Sequence, residues 1–552
     1  MSYYDGKGNL LDTDFSVTDT RLELAVEKWL NEHPEATTTV QDGAVTPEKT
    51  SFMKPVCKLL ESTCVLPNAR KVARYANEIE TLYFGTYLVS SDTKGIYAVK
   101  VEAGKTYTII PCADAVAVYF CKSYEVQETP QKAQAVWSGN EILLGILGYT
   151  GEGKLCSKNV KAYEDRQKWA RYTPASDGYI VGCWDMLSGA FAGMSMMRGI
   201  GEDISFHDWI DRIWQVEQKI DDEYVYHATK VACLEMIKTG TTTFNDHYWH
   251  MPMGHKAAAE MGMRPVLAYV ILDHNDPQEA ERQKVQCQEM YQEAMSWADK
   301  SQFAVAVHAI YSVSEPLMLW AVDFAREHGL KIHIHLSETR KEVEDCKAQH
   351  GGMSPVEYLD SLGVLGEDVI AAHTLWLSEN DIRILGERRV TCVHNVNSNL
   401  KLASGYKFLF TELRDAGANL CLGTDGCASS NNLDMLETIK TSAMIQKAWR
   451  DDPSVMTLHE LIEMATVNAG KALGQNIGKI EEGALADLLI IDTDNYHFLS
   501  PGSFLANFIY SAHSDCVESV ICKGKFIMRN RVVPGEKEIL AEAKKVLTKL
   551  TN

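Results

Sequence analysis

Six residues able to act as acids, bases or metal ligands recur at equivalent places in the chain. Asp246, His308, His335, His373, His394 and Asp425 each stand at or just past the carboxyl end of a different predicted strand. Parallel strands that close on themselves bring those ends to one rim, so residues far apart in sequence converge on a single mouth. A lone strand-end histidine is most simply structural; four on successive strands, accompanied by acids, point to a site. His333 and His335 are two apart and share a strand face, so spacing alone leaves both open. His335 is favoured because it lies nearer the rim and Glu338 follows it in His-Leu-Ser-Glu. Imidazole and carboxylate at an open rim suit a Zn²⁺ or Fe²⁺ ion that activates water for attack on a carbon bearing an amine or another leaving group. Glu338 can then shuttle the proton, and Asp425, within Leu422-Gly-Thr-Asp-Gly426, can serve as a further ligand and as the base.

The elements that must position these residues alternate after residue 190. Predicted strands are 241–246, 264–272, 303–308, 330–336, 368–373, 389–395 and 418–425, each a near-continuous apolar run. Helix-period stretches lie between them, at 316–328 and 286–298 for example. Such βα repetition implies a parallel sheet covered by helices, which closes most naturally as a TIM-type (β/α)8 barrel. Further strands follow at 486–492, 517–523 and 525–530, then an amphipathic helix at 536–550. Within TTTFNDHYWH, Asp246, His247 and His250 are candidates to line the mouth, with plain rim polarity equally open. Met194, Met196 and Met197 in AGMSMMRG are read as core packing rather than thioether ligands.

The chain has 552 residues, with 54 Lys and Arg against 75 Asp and Glu, a net charge of −21 that repels phosphate backbones and anionic lipid headgroups. The expectation is a small-molecule substrate with no nucleic acid and no membrane. No apolar run approaches the ~20 residues of a spanning helix, and the first residues carry no secretory pattern. The 14 Cys lack CxxC spacing, as free thiols of a reducing compartment would; the expected location is the cytoplasm, with a phage particle or cell surface as the alternative. Before residue 190 a helix (Leu22 to Leu30, capped at Thr18 or Asp19) and a polar arm (36–50) give way to short alternating runs at 96–101, 106–110, 115–121, 142–147 and 179–183. The domain expectation is an N-terminal helix and arm over 1–80, an antiparallel jelly-roll-like β module over 81–185, an α/β barrel over 186–475, a small C-terminal β-sandwich over 476–535 and a terminal helix over 536–552.

Several segments resemble known families. HAIYSVS (308–314), HIHLSET (333–339), AAHTLWLSEND (371–381), VHNVNSNLKLASG (393–405), LGTDGCASSNNLDM (422–435) and GKIEEGALADLLIID (478–492) resemble the amidohydrolase superfamily, nearest its branch of S-adenosylhomocysteine/methylthioadenosine deaminases, guanine deaminases and chlorotriazine hydrolases. The resemblance runs from about 192 to 530. It implies His335 and Asp425 as metal ligands, Glu338 as proton shuttle, His373 as a polarising group near the attacked carbon, Asp425 also as base, and His308 and Glu217 as substrate contacts. It implies a divalent metal, Zn or Fe, a homo-oligomer, and hydrolytic deamination of an amino-substituted heteroaromatic such as a purine nucleoside. HPEATTTVQDGAVTPEKTSF (33–52) resembles phage tail and baseplate-associated proteins, and RYTPASDGYIVGC (171–183) resembles the closing strand of carbohydrate-binding-like modules in such proteins.

One departure stands out. The family's first barrel strand ends in a His-x-His pair that supplies two metal ligands; the corresponding residues here read Gly189-Ala190-Phe191. Two of four expected ligands are thereby absent, fewer than the three that catalytic zinc sites keep. The sequence therefore carries two functional expectations: a metal-dependent deaminase with an incomplete metal site, or an inactive barrel fused to a phage-tail or surface-binding module and acting in binding or structure.

Overall fold

The computed structural model describes residues 191–551 apart from 298–302, 481–483 and 501, and upstream of 191 only the backbone of short strands. The predicted helix near Leu22, the polar arm, the run at 142–147, the segment 33–52, residues 173–177 and 183 of the second phage-like segment, and Gly189-Ala190 lie outside the described residues.

Two compact units divide the chain. The first comprises residues 1–182, 479–495 and 523–526. In it the strand Leu488–Asp492 pairs antiparallel with Gly178–Gly182, Ile490 opposite Ile180, and Gly178–Gly182 pairs in turn with Ala98–Val101. The edge of Leu488–Asp492 is thus covered by a strand of this same chain. Antiparallel pairs also join 107–112 to 115–120 and 124–129 to 132–137.

The second unit, 183–478 with 496–522 and 527–552, holds a sheet whose eight strands follow one another in sequence order, every pair parallel. They are β1 (Trp184–Met186), β2 (Thr241–Tyr248), β3 (Arg264–Ile271), β4 (Phe303–Ala309), β5 (Ile332–Leu336), β6 (Val369–His373), β7 (Thr391–His394) and β8 (Asn419–Leu422). Helices alternate with the strands, a TIM-like α/β fold. Strands β2 to β8 are buried along nearly their whole length, which explains why they read as apolar runs rather than as alternation.

Pairing register decides which residues share a face. Val266, Ala268 and Val270 of β3 pack with Ala304 and Ala306 of β4, Ile370 of β6 and Val393 of β7 in one cluster. His333 is opposite Ala306 on one side and Ile370 on the other, so it lies on that face, and His335, two residues on, lies on it nearer the carboxyl ends. A one-residue slip of β5 would turn both imidazoles away. By the same parity Asn245 and His247, opposite Val266 and Ala268, lie on this face of β2, and Asp246 does not.

Two helices matter for the site. The first, α1 (Phe206–Glu217), starts at a Ser205 side chain that accepts from the Asp208 N–H. The second, α2 (Asp222–Thr239), is capped by Asp221 and closed by Gly240 at φ 100°, a left-handed turn that glycine adopts without a Cβ penalty. The turn Ala192–Met196 packs with α2 through Met194, Met197, Val225 and Ala228, so the methionines serve as core. Gly193 lets this turn approach β2: a Cβ there would overlap the ring of Tyr248. Gly193→Ala is expected to cost about 1–3 kcal/mol, as over-packing does, read as a lower midpoint in denaturant titration; an unchanged midpoint would contradict that contact.

Among the described residues the cysteines are buried free thiols, and no helix is long and apolar enough to cross a membrane.

Candidate functional site

At the carboxyl ends of the strands lies a pocket with about 690 Å³ of empty space, its open mouth included. Its floor is polar: His247, His308, His335, Glu338, His373 and Asp425. One wall comes from α1, whose residues Phe206, Trp209, Ile210, Ile213, Trp214 and Glu217 all line it. Their spacing of three and four is one helical face. Apolar walls over a few convergent polar groups are the usual make-up of a small-ligand site.

Strand ends aim the floor residues in two ways. His308 and His335 project by strand parity. His373 ends β6 and Asp425 follows β8, and both adopt left-handed backbone, φ 75° and 63°. That conformation is costly for residues with a Cβ, and it redirects side chains that strand alternation would send elsewhere. Glu338 is positioned by a turn after β5. Ser337 has φ 52°, and the N–H groups of Ser337 and Glu338 both donate to the Glu342 carboxylate at 2.8 Å. Glu342 itself starts the helix Arg340–Gln349, capped by Thr339.

The hydrogen bonds set proton positions. His335 Nδ1 lies 2.7 Å from the His308 carbonyl oxygen, so Nδ1–H donates and Nε2 keeps its lone pair. The Asn399 amide donates to His373 Nδ1 at 2.8 Å, which leaves the His373 proton on Nε2, 3.5 Å from Glu338 Oε2. Asp425 accepts from the Ser398 hydroxyl at 2.6 Å and from the Gly426 N–H at 2.7 Å.

Burial dominates the electrostatics. It pushes the Glu338 carboxyl well above its ordinary value, and the neighbouring Asp425 and Glu342 push it further the same way. Burial holds His373 well below its ordinary value, helped by His335. Both shifts favour the neutral acid of Glu338 and the neutral imidazole of His373 over an ion pair. The His335 imidazole is also lowered by burial, against the opposing pull of Asp425, whose own carboxyl burial raises.

Glu217, 9% exposed, ends α1 with Oε1 unpartnered. Burial raises its carboxyl from 4.5 to about 7, and the Tyr248 phenol offsets that only in part. Since the folded value exceeds the unfolded one, the stability that goes with the neutral carboxyl is complete below pH 4.5 and is lost as pH rises through 7. The loss is about 3 kcal/mol. Glu217→Gln should therefore gain stability over wild type between pH 4.5 and pH 8 by roughly that amount, measured as paired unfolding free energies. An equal difference at both pH values would show that the carboxyl is not so perturbed.

Most residues expected from the sequence meet here: His308, His335, Glu338, His373, Asp425 and Glu217 all line the one pocket. Two do not. Asp246 accepts the Ala192 N–H at 2.9 Å, anchoring the turn that follows β1. His394, whose parity is opposite to that of Val393, is stacked on Phe408 with centroids 4.5 Å apart. His250 pairs with Asp222. His333 is buried one step below the floor, its Nδ1 3.1 Å from the Asn245 amide. The aromatic wall of α1 was not read from the sequence, although the spacing 206, 209, 210, 213, 214, 217 carried the signal.

His335 and Asp425 offer imidazole and carboxylate, the donor chemistry of Zn²⁺ or Fe²⁺. Among the described residues, however, no three His, Cys, Asp or Glu side chains as placed surround a common point. Phe191 packs beside His335, its ring stacked on the imidazole at 5.8 Å.

Residues 192–527 match the model of the amidohydrolase family. The 5′-deoxyadenosine deaminase of Methanoregula boonei is 41% identical over 354 residues, 64% of this chain and 80% of that protein. The 5-methylthioadenosine/S-adenosylhomocysteine deaminase of Thermococcus sibiricus is 39% identical over 378 residues, 67% of this chain and 88% of its own. Among solved structures, an adenosine deaminase from Xanthomonas campestris with bound zinc superposes with a TM-score of 0.64 at 27% identity, covering 82% of this chain and 98% of that one. A zinc complex of atrazine chlorohydrolase from Arthrobacter aurescens, at 19% identity and a TM-score of 0.61 over 66% of this chain and 88% of that one, shares the fold.

Proposed function

The chain belongs to the amidohydrolase family, and from that premise we propose that it is a hydrolytic deaminase of an adenosine-type nucleoside, working with a divalent cation held in part by His335 and Asp425. The observation that carries this reading is the buried Glu338 carboxyl, 3.5 Å from His373 Nε2 and raised above its ordinary value by burial, at the floor of an aromatic-walled pocket.

Hydrolytic deamination forms a C–O bond, breaks a C–N bond and releases ammonia. The ring nitrogen next to the attacked carbon must gain a proton, and water must lose one. Glu338 holds the proton for the ring nitrogen. Asp425, fixed by Ser398 and Gly426, accepts the water proton. His373 Nε2–H donates to the oxygen that becomes the product carbonyl, with Asn399 locking its tautomer. Asp425 then passes that proton to the departing amine, and the ionised Glu338 takes the remaining hydroxyl proton as the carbonyl forms, which returns both carboxyls to their starting states. A cation at His335 and Asp425 would supply a water whose pKa is lowered towards 7. Phe206, Trp209 and Trp214 offer faces for base and sugar, and Glu217 an acceptor for sugar hydroxyls.

Purified protein supplied with Zn²⁺ or Fe²⁺ should release ammonia from adenosine, 5′-deoxyadenosine or methylthioadenosine. Release from none of these, nor from guanine, would remove the reading. A second reading, a pocket that binds its ligand without turnover, is favoured by one observation: Phe191, which offers no lone pair, is stacked on His335. Ligand binding with no ammonia at any metal concentration would support it.

A further inference from the structure

Of the aromatic side chains that line the pocket, Tyr311 is the exposed one. It is 46% open, whereas Phe206, Trp209 and Trp214 of α1 are half-buried and Tyr248 is buried. The α1 rings already have neighbours: Phe206 and Trp209 lie 6.1 Å apart, and Trp214 meets His274 at 5.3 Å. Among the described residues Tyr311 meets one ring, that of His308, at 5.9 Å with the planes at 88°. Beyond it lies a second hollow with about 930 Å³ of empty space, its mouth included, and Tyr311 lines both spaces. The charged groups that bear on its phenol are Glu338 and Glu342, which places the ring beside the acid of the floor. The turn that carries it, after β4, is fixed. The Ser312 and Val313 N–H groups both donate to the Ala309 carbonyl oxygen at 3.2 Å, and the Ser312 carbonyl accepts from the Asp273 and His274 N–H groups at 3.1 and 3.0 Å. An aromatic face held out on a rigid turn gains buried area when a ligand covers it, at little cost in ordering.

We propose that Tyr311 is a specificity-determining contact, the platform on which the flat heteroaromatic ring of the ligand stacks beside Glu338. The proposal rests on the nucleoside reading above. Trp214 approaches the same His308 imidazole from α1, at 6.3 Å, so the base lies between the α1 wall and the turn after β4. Stacking on an aromatic face is open to any planar base and is lost to a saturated ring. The proton transfers of the deamination do not use the Tyr311 hydroxyl, so the ring and not the phenol oxygen carries the effect.

The test is fluorescence titration of the full chain with 2-aminopurine riboside, an isomer of adenosine whose own emission reports binding, alongside ammonia release from adenosine. Tyr311→Ala and Tyr311→Leu should each weaken binding on the order of tenfold, as loss of one stacked base does. Tyr311→Phe, which keeps the ring, should stay within about threefold of wild type. Unfolding midpoints of all three should match wild type, because the side chain is exposed. Tyr406, equally exposed at 46% but outside the lining, gives the control: Tyr406→Ala should bind as wild type does. If wild type turns over adenosine without binding the riboside, the same ordering is read in KM. Should Tyr311→Leu bind as well as Tyr311→Phe, the contact is apolar cover and the platform is overturned. Unchanged binding by Tyr311→Ala overturns it as well, and ammonia release by wild type then leaves the deaminase reading standing. Wild type that neither binds the riboside nor releases ammonia from any nucleoside overturns both.

Discussion

Glu338→Gln is expected to lower kcat by about 10²- to 10⁴-fold, the range for loss of a positioned general acid, with ligand affinity nearly unchanged. Glutamine keeps the shape of the side chain but cannot give up and regain a proton. Because burial favours the neutral carboxyl, glutamine matches the favoured form of the side chain, and stability at neutral pH should hold or rise. Stopped ammonia-release assays with equilibrium binding of the same nucleoside separate the two effects. A variant within tenfold of wild type in kcat would remove Glu338 from the proton path. Glu342 offers a graded companion. Its carboxylate fixes two backbone N–H groups of the turn that carries Glu338, so Glu342→Ala should lower kcat through misplacement while Glu342→Gln, which keeps one acceptor, recovers part of it. A merely structural role for Glu342 would lower stability in both variants without that ordering in kcat.

The strands were legible because burial on both faces writes them as apolar runs, and the observed seven from β2 onwards fall where those runs are. Their ends were less so. The run at 418–425 is strand only over Asn419–Leu422, because Asp425 turns into left-handed backbone to face the pocket. The helix expected at 286–298 starts at Pro277 behind an Asp276 cap; its first turns are charged and solvent-facing, so apolar periodicity could not find them, whereas the Asp-Pro start could have. Strand parity explains which strand-end residues belong to the site. Counting from His333 and Val266, parity selects His335 and His247 and rejects Asp246 and His394. Position at a strand end, which the sequence supplies directly, does not distinguish them. His373 escapes the parity rule through its positive φ, a backbone feature with no signature in residue type. The α1 wall needed the helix to be placed over the mouth before its aromatic spacing had meaning.

Phe191→His is the complementary gain. The family resemblance puts an imidazole at this position, and the structure puts the Phe191 ring 5.8 Å from His335 and 5.2 Å from His247, within the separation that two ligands of one ion adopt. Phe191 has φ 39°, a conformation that histidine accepts more readily than phenylalanine, so the backbone does not oppose the change. The apo variant should lose some packing, about 1–3 kcal/mol, because the smaller ring leaves space beside Gly426 and Met194, which the phenylalanine now fills. Zn²⁺ should more than restore it: an added ligand should tighten binding by on the order of 100-fold, which at saturating metal stabilises the fold by a further ~2.7 kcal/mol. The measurement is the unfolding midpoint with and without Zn²⁺ for wild type and Phe191→His. If Phe191→His leaves the Zn²⁺-dependent shift unchanged, the residue that follows the first strand does not face the cation, and the idea that this chain lost ligands there fails with it.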